Sequence, residues 1–360
     1  MLNKQKSISV FLVILPVLAC LSSCGPSGIA IAIASGVGGG GAAAAAGGGG
    51  KTSFVYVPGT GTYTGTGTAT GWTQEFPSNK PSGRRHHAMA YDDTRYALVL
   101  FGGETDTGLS DETWVWNGTD WTQKSLAAKP SPRRSHAMAY DSANNVVVLF
   151  GGETDSGFSN ETWIWNGTDW APASPANQPA ARHSHAMAFD SFFNQVVLFG
   201  GTTGTLSEET WTWSGTDWAL ESPADKPSAR VNHAMAFDGT RNVVVLFGGS
   251  TGAAGSDETW EWDGTNWSLI PSSTKPSGRD GHAMAFRTDQ SIVVLYGGYT
   301  GGGLTSDEYW GWNGTGWVDA TPSARPLARM GHTLAYDSMR NTVVLFGGFA
   351  GTLSDETWEY

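Results

Sequence analysis

Imidazole, guanidinium and carboxylate groups recur along this chain at fixed offsets, and each type could bind a metal or move a proton. A His stands at His87, His136, His185, His233, His282 and His332. Three residues before each comes an Arg: Arg84, Arg133, Arg182, Arg230, Arg279 and Arg329. A Pro precedes each Arg by three, from Pro81 to Pro326. Further on, an acid precedes a Trp by two, at Glu112, Glu161, Glu209, Glu258, Glu308 and Glu356. A catalytic site needs one unique constellation, whereas these groups return six times in equal register. That points to repeated Arg–Glu ion pairs or hydrogen bonds between strands, with no catalytic residue and no metal ligand among them. A metal would have to draw several imidazoles to about 2.0–2.1 Å, closer than a ring of six separate units would bring them. No Ser-His-Asp arrangement, phosphate loop or paired-carboxylate motif rises above the repeat.

The elements that carry these residues are strands. Fifteen residues after each His comes the first Gly of a pair, at Gly102, Gly151, Gly200, Gly248, Gly297 and Gly347. Trp pairs seven apart follow, such as Trp114/Trp121 and Trp163/Trp170, and the second Trp precedes the next His by fifteen. Only the interval from Gly-Gly to the first Trp varies, between 11 and 13 residues. A period of 48 to 50 residues is that of a propeller or solenoid array. In the second unit, His136-Ala137-Met138-Ala139-Tyr140 alternates large and small, a strand with two unlike faces. The small face suits an innermost strand crowded by its neighbours. Val146 to Phe150 is apolar without alternation, as in a strand buried on both sides. Glu161 to Trp165 is a third strand, and Asn166-Gly167 signals a hairpin into a fourth. A two-residue turn there would set Trp163 opposite Trp170. All 17 Trp fall at repeat positions, so they read as core. The Asn-Gly-Thr triplets read as turns and carry no weight as glycosylation sequons.

The ends fit a closed ring. The chain stops at Trp358-Glu359-Tyr360, a third strand with no fourth behind it, and Trp72 stands fifteen before His87 at a fourth-strand position with no blade before it. The expectation is all-β: a six-bladed propeller with four strands per blade, closed by the N-terminal strand, with Trp72 opposite Trp358. Closure of this kind leaves no open sheet edge.

Composition bounds the partners. All 33 acidic residues and 18 of the 21 basic ones lie after residue 70, a balance of −15. Such a surface lacks the basic face that nucleic acid requires. The only cysteines, Cys20 and Cys24, lie near the N-terminus, so the array has neither disulfide nor thiol chemistry. Residues 1–24 read as an export signal, with Lys4 and Lys6 ahead of an apolar stretch. Leu21-Ser22-Ser23-Cys24 resembles a bacterial lipobox, which implies lipidation of Cys24; Cys20 after Val17-Leu18-Ala19 is a competing site, and a cleaved signal with a soluble product is the alternative. Gly25 is not the Asp that retains lipoproteins at an inner membrane, so an outer membrane is expected where one is present. Residues 25–70, rich in Gly, Ala and Thr with Lys51 as the one charge, read as a flexible tether between that anchor and an array over 71–360.

Four strands per unit, an apolar run into Gly-Gly and spaced aromatics ending in Trp: residues 71–360 resemble the Kelch repeat, as in the central domain of galactose oxidase. Two departures are Trp at the Trp116 position, where the family more often has Tyr, and a shorter following hairpin. The resemblance implies that the loops after the second strand and before the first share one face of the disc, where many Kelch propellers bind ligand. The oxidases of this type use a Tyr cross-linked to a Cys. That cofactor is excluded here, and no other cofactor is expected. Length varies only after Gly-Gly, as surface loops tolerate, and the units differ there. Glu104/Asp106 and Glu153/Asp155 form an acidic sector, while Tyr299 and Phe349 form an aromatic one. These six are the candidate ligand residues, and Phe192-Phe193 is assigned to the opposite face as a packed loop. The reading is an envelope-anchored, non-enzymatic scaffold binding a protein or glycan; the alternative is a carbohydrate-active enzyme, epimerase- or oxidase-like, on the same propeller. Oligomeric state is not legible.

Overall fold

The structure is a computed structural model that describes residues 71–252 and 254–360; Cys20, Cys24 and the expected tether lie outside the described residues. Within them every regular element is a β-strand, and six sheets have four antiparallel strands each. The first holds Ala88–Asp92, Ala97–Phe101, Thr113–Trp116 and Trp121–Lys124 in spatial order. The next four blades repeat this order. In the sixth, Thr73–Glu75 lies beside Thr357–Glu359 and supplies the fourth strand. The six first strands pack side by side around the axis, the sixth against the first.

The core lies between blades, which explains the alternation in the inner strand. Ala88 and Ala90 of the first blade pack on Met138 of the second, and Met89 of the first packs on Ala335 of the sixth. A small face thus receives the large face of its neighbour, six times around the ring. The second strands, such as Val147–Phe150, are fully buried on both sides.

The hairpin differs from the two-residue turn expected. Trp116 faces Trp121 and Trp165 faces Trp170, while Trp163 faces Pro172. Four residues, Asn117 to Asp120, make the loop. The Asn117 side chain accepts the backbone N–H groups of Thr119 and Asp120, both at 2.9 Å, and this local capture favours the longer loop over a tight Asn-Gly turn. Gly118 takes φ +97°, and the Arg340 side chain of the neighbouring blade lies against it, 2.9 Å from where a Cβ would stand. The same two-residue correction applies at the closure: Gln74 faces Trp358, and Trp72 lies against Tyr360 with ring centroids 5.4 Å apart.

Candidate functional site: the rim of the upper face

The loops entering each inner strand and those following each Gly-Gly pair meet at one end of the axis, the upper face. Each recurrent Arg holds them together. Arg84 is fully buried; its guanidinium donates to the Gly102 carbonyl at 2.9 Å, the Ser82 carbonyl at 3.0 Å and Glu112 at 2.5 Å. Glu112 also accepts the Trp114 indole N–H at 3.0 Å. Arg133–Glu161, Arg182–Glu209, Arg230–Glu258, Arg279–Glu308 and Arg329–Glu356 repeat the pair at 2.5–2.6 Å. Burial pulls the Glu112 carboxyl upward, but the bonds from Arg84 and Trp114 outweigh it and hold the group below its ordinary range. These pairs fix the loops against the third strands and leave neither partner free for proton transfer.

The six His form the next layer. The His136 ring lies edge-on to Phe101 of the preceding blade, centroids 5.6 Å apart, and His185, His233, His282, His332 and His87 repeat this against Phe150, Phe199, Phe247, Tyr296 and Phe346. Burial, then the charge of the adjacent buried Arg133, pushes His136 down to about 3. His233, His282 and His332 are likewise about 3, and His87 and His185 are well below the ordinary value. All six are therefore neutral at pH 7. Among the described residues no group of three or more His, Cys, Asp or Glu is placed to hold a metal ion.

Above the His layer the backbone closes a hydrogen-bonded ring. His86 N–H donates to the Gly331 carbonyl at 2.8 Å, Ser135 to His86, Ser184 to Ser135, Asn232 to Ser184, Gly281 to Asn232 and Gly331 to Gly281, all at 2.8–3.0 Å. All six residues sit at φ between 54° and 65°. This collar and the His beneath line an axial cavity of about 130 Å³.

Outside the collar runs a rim in which two positions alternate. One is the residue after each buried Arg, the other the residue after each Gly-Gly, and the two pair through backbone bonds in every blade. Glu104 is bound by Arg85 of its own blade at 3.1 Å and by Arg134 of the next at 2.8 Å, and Arg134 reaches Glu153 at 2.9 Å. The expected acidic sector is thus a neutralised ladder, a correction to the sequence reading for Glu104 and Glu153. The bond from Arg85 outweighs burial and holds Glu104 at about 2. Asp106 and Asp155 are exposed at the loop tips and pair with no cation among the described residues. Tyr299 and Phe349 are half-buried on the fifth and sixth blades. Tyr299 accepts the Gly303 N–H on its hydroxyl at 3.0 Å, and Arg85 stands over the Phe349 ring, 5.6 Å from its centroid. The acidic and aromatic residues therefore share one rim but not one pocket.

Sequence reasoning passed over the rim's other half. Between each Arg and His stands a pair of residues, and no two of the six pairs are alike: Arg85-His86, Arg134-Ser135, His183-Ser184, Val231-Asn232, Asp280-Gly281 and Met330-Gly331. The signal was present, as variation framed by two constant residues. At the other end of the axis Phe192 and Phe193 are exposed, although Phe193 also lies against Gly264 of the next blade. The family model for the KLHDC2/KLHL20/DRC7 Kelch-repeats domain matches residues 46–217 and 172–310, together well over half of the chain. No curated protein matches.

Proposed function

Because this chain belongs to the Kelch-repeat family, whose propellers serve as protein-binding scaffolds, we propose that it is a non-enzymatic scaffold whose upper rim meets a protein or glycan ligand. The observation that carries this reading is the contrast between six constant Arg–Glu clamps and a rim that changes from blade to blade. Six identical Arg–Glu clamps hold the loops rigid, and rigidity keeps the ordering cost of binding low. On that frame the residues after Gly-Gly run from charged, Glu104 and Glu153, to small and polar, Thr202 and Ser250, and then to aromatic, Tyr299 and Phe349. Variable loops on a rigid frame are where binding sites are found. The neutral, buried His and the paired Glu supply no acid–base couple, which favours binding over catalysis.

The export signal and the Leu21–Cys24 pattern support a lipid anchor at Cys24, with the propeller held at the envelope surface. Intact mass of membrane-extracted protein should begin at Cys24 with acyl chains attached; a soluble product without added mass would remove the anchor from the proposal. Purified protein offered neutral sugars, sialic acids and alcohols, with and without copper or zinc, should show no turnover. A reproducible activity abolished by one rim substitution would replace the scaffold with the carbohydrate-active reading.

A further inference from the structure

The rim divides into two unlike halves. On the first and second blades four charges pair off completely, Arg85–Glu104–Arg134–Glu153, at 3.1 Å or less. A ligand charge arriving there would have to displace a partner already in place. On the fifth and sixth blades the corresponding positions are Asp280, Tyr299, Met330 and Phe349, all half-buried. Asp280 stands where the first two blades carry Arg, and no Lys or Arg pairs with it among the described residues. Burial pushes its carboxyl upward, with the Asn232 amide opposing the rise. It is the one rim carboxylate that is both partly desolvated and without a cation among the described residues.

A glycine, Gly281, leaves space beside it, whereas at Gly331 the His86 ring fills the corresponding place, 3.1 Å from where a Cβ would lie. Gly281 and Gly331 adopt φ 64° and 65°, while His86, Ser135, Ser184 and Asn232 hold φ 54–58° at the equivalent collar positions. The backbone conformation therefore does not demand glycine, since four residues with side chains adopt it. What glycine provides is the missing side chain. The Gly281 and Gly331 backbones bond at 2.8 Å, and Met330 borders the gap, its Cβ 3.4 Å from where a Cβ on Gly281 would lie. The result is a notch at Gly281 between Asp280 and Met330, whose backbones pair with Tyr299 and Phe349 in turn.

Resting on the scaffold reading, we propose that this notch receives a lysine or arginine side chain of a protein partner. The alkyl stem would lie along Met330 and the aromatic rings, as long basic side chains do on apolar surfaces, and the charged head would meet Asp280. A cation over Tyr or Phe gains further attraction from the ring. The chain already uses this contact on the other side of the notch, where Arg85 stands over Phe349. A propeller balance of −15 draws a basic partner toward the rim at long range. A neutral glycan would stack on the rings but leave Asp280 without its counter-charge.

The test uses the full chain in neutral detergent, titrated by NMR with acetyl-Gly-Lys-Gly-amide and acetyl-Gly-Arg-Gly-amide. Acetyl-Gly-norleucine-Gly-amide and chitotetraose serve as uncharged probes. Amide shifts at Gly281, Tyr299, Gly331 and Phe349 are expected with the two basic peptides alone. Affinity should fall with added salt and drop about tenfold in Asp280→Asn, the scale of one partly desolvated ion pair. Gly281→Ser should weaken binding by filling the notch without changing charge, and its melting temperature should stay near that of the parent, because serine already occupies two collar positions. Asp106→Asn with Asp155→Asn should leave binding unchanged. The proposal is overturned by equal affinity in Asp280→Asn, by norleucine or chitotetraose binding as well as the basic peptides, or by no shift at millimolar peptide. A protein partner found on the rim of the first three blades would also overturn it while leaving the scaffold reading intact, whereas turnover of a substrate would sink that reading first.

Discussion

At the seam between the first and second blades, Trp170 donates its indole N–H across the gap to Thr113 at 3.0 Å, whereas at the seam between the fifth and sixth the equivalent Trp72 meets Tyr309 and has no acceptor. The Trp–Thr bond recurs at four more seams, through Trp121, Trp218, Trp267 and Trp317. The closing seam departs from the repeat at four positions. Tyr296 replaces Phe, Tyr309 replaces Thr, Arg287 replaces Asp and Tyr360 replaces Trp. Trp72 lies 5.4 Å from Tyr296, 5.7 Å from Tyr309 and 5.4 Å from Tyr360 by ring centroids, and Arg287 stands 5.5 Å over Tyr360. The Tyr296 hydroxyl donates to the Pro326 carbonyl at 2.6 Å. The sixth blade has no hairpin joining its third and fourth strands, and the aromatic cluster takes over the work of the missing turn. Departures from a repeat are therefore of two kinds. Some serve closure, and only those left over, on the rim, are free to serve a ligand.

The contrast between seams breaks most sharply if the closing strand is removed. Deleting residues 51–78 should expose the edge of Thr357–Glu359 and cause aggregation, while deleting 25–50 should leave the melting curve unchanged. A deleted chain that melts like the parent would show that the sixth blade is stable with three strands, and the aromatic seam would lose its explanation.

Acid should affect all seams alike, because the His layer is common to all six. Four of these His sit at about 3 in the fold, against about 6.5 in an unfolded chain. Between those values the unfolded state binds more protons, so stability is full above about pH 6.5 and declines as pH falls. Each His contributes up to about 1.4 kcal/mol per pH unit in that window. Urea unfolding followed from pH 7.5 to 4.5 should show a single cooperative transition with several protons taken up. A biphasic curve with one seam opening first would set the closing seam apart in a way its His does not.

Substitution in the core ranks next. Trp72→Ala should cost about 3–5 kcal/mol, as losses of buried Trp do, and Trp170→Ala should cost a similar amount plus the bond to Thr113. Chemical denaturation of the two variants compares the seams directly; a Trp72→Ala loss under about 1 kcal/mol would contradict the packing of its ring among three tyrosines. Tyr309→Thr restores the residue of the other blades and an acceptor for Trp72. It nonetheless removes the ring that packs on Trp72 and Tyr360, the latter at 4.5 Å. A net loss of about 2 kcal/mol is expected, a truncated aromatic offset by one hydrogen bond.

Much of this was legible because spacing is a strong signal and register is a weak one. Six His at constant distance from Gly-Gly reveal the blade, and Trp72 standing fifteen before His87 reveals the closing strand. The Trp165–Trp170 pairing was missed by two residues because Asn166-Gly167 looks like a complete turn. The Asn side chain instead caps the N–H groups of Thr168 and Asp169 and lengthens the loop. At the rim, Glu104 and Glu153 looked like a free acidic sector because Arg85 and Arg134 are 19 residues away from their partners in sequence. Opposite charges brought together across a fold leave no local trace. Asp280 went unnoticed for the converse reason, since what distinguishes it is the cation it lacks.

The smallest effect lies outside the closing seam and sharpens the comparison by reversing its sign. Tyr96 ends the turn between the first two strands of its blade at φ 51°, where Asn145, Asn194, Asn242 and Asn341 hold φ 52–57° in other blades. Asn tolerates this left-handed conformation better than a bulky side chain does. The Tyr96 ring is exposed and so gains little from packing to offset the strain. Tyr96→Asn should therefore raise stability by about 0.5–1 kcal/mol, read as a small upward shift in the denaturation midpoint. Restoring the repeat would then help at Tyr96 and harm at Tyr309, as it must if the departures at the seam are selected for closure and the one at Tyr96 is not. If Tyr96→Asn instead destabilises the fold, the exposed ring has a contact of its own, and departures outside both the closing seam and the rim can no longer be set aside as drift.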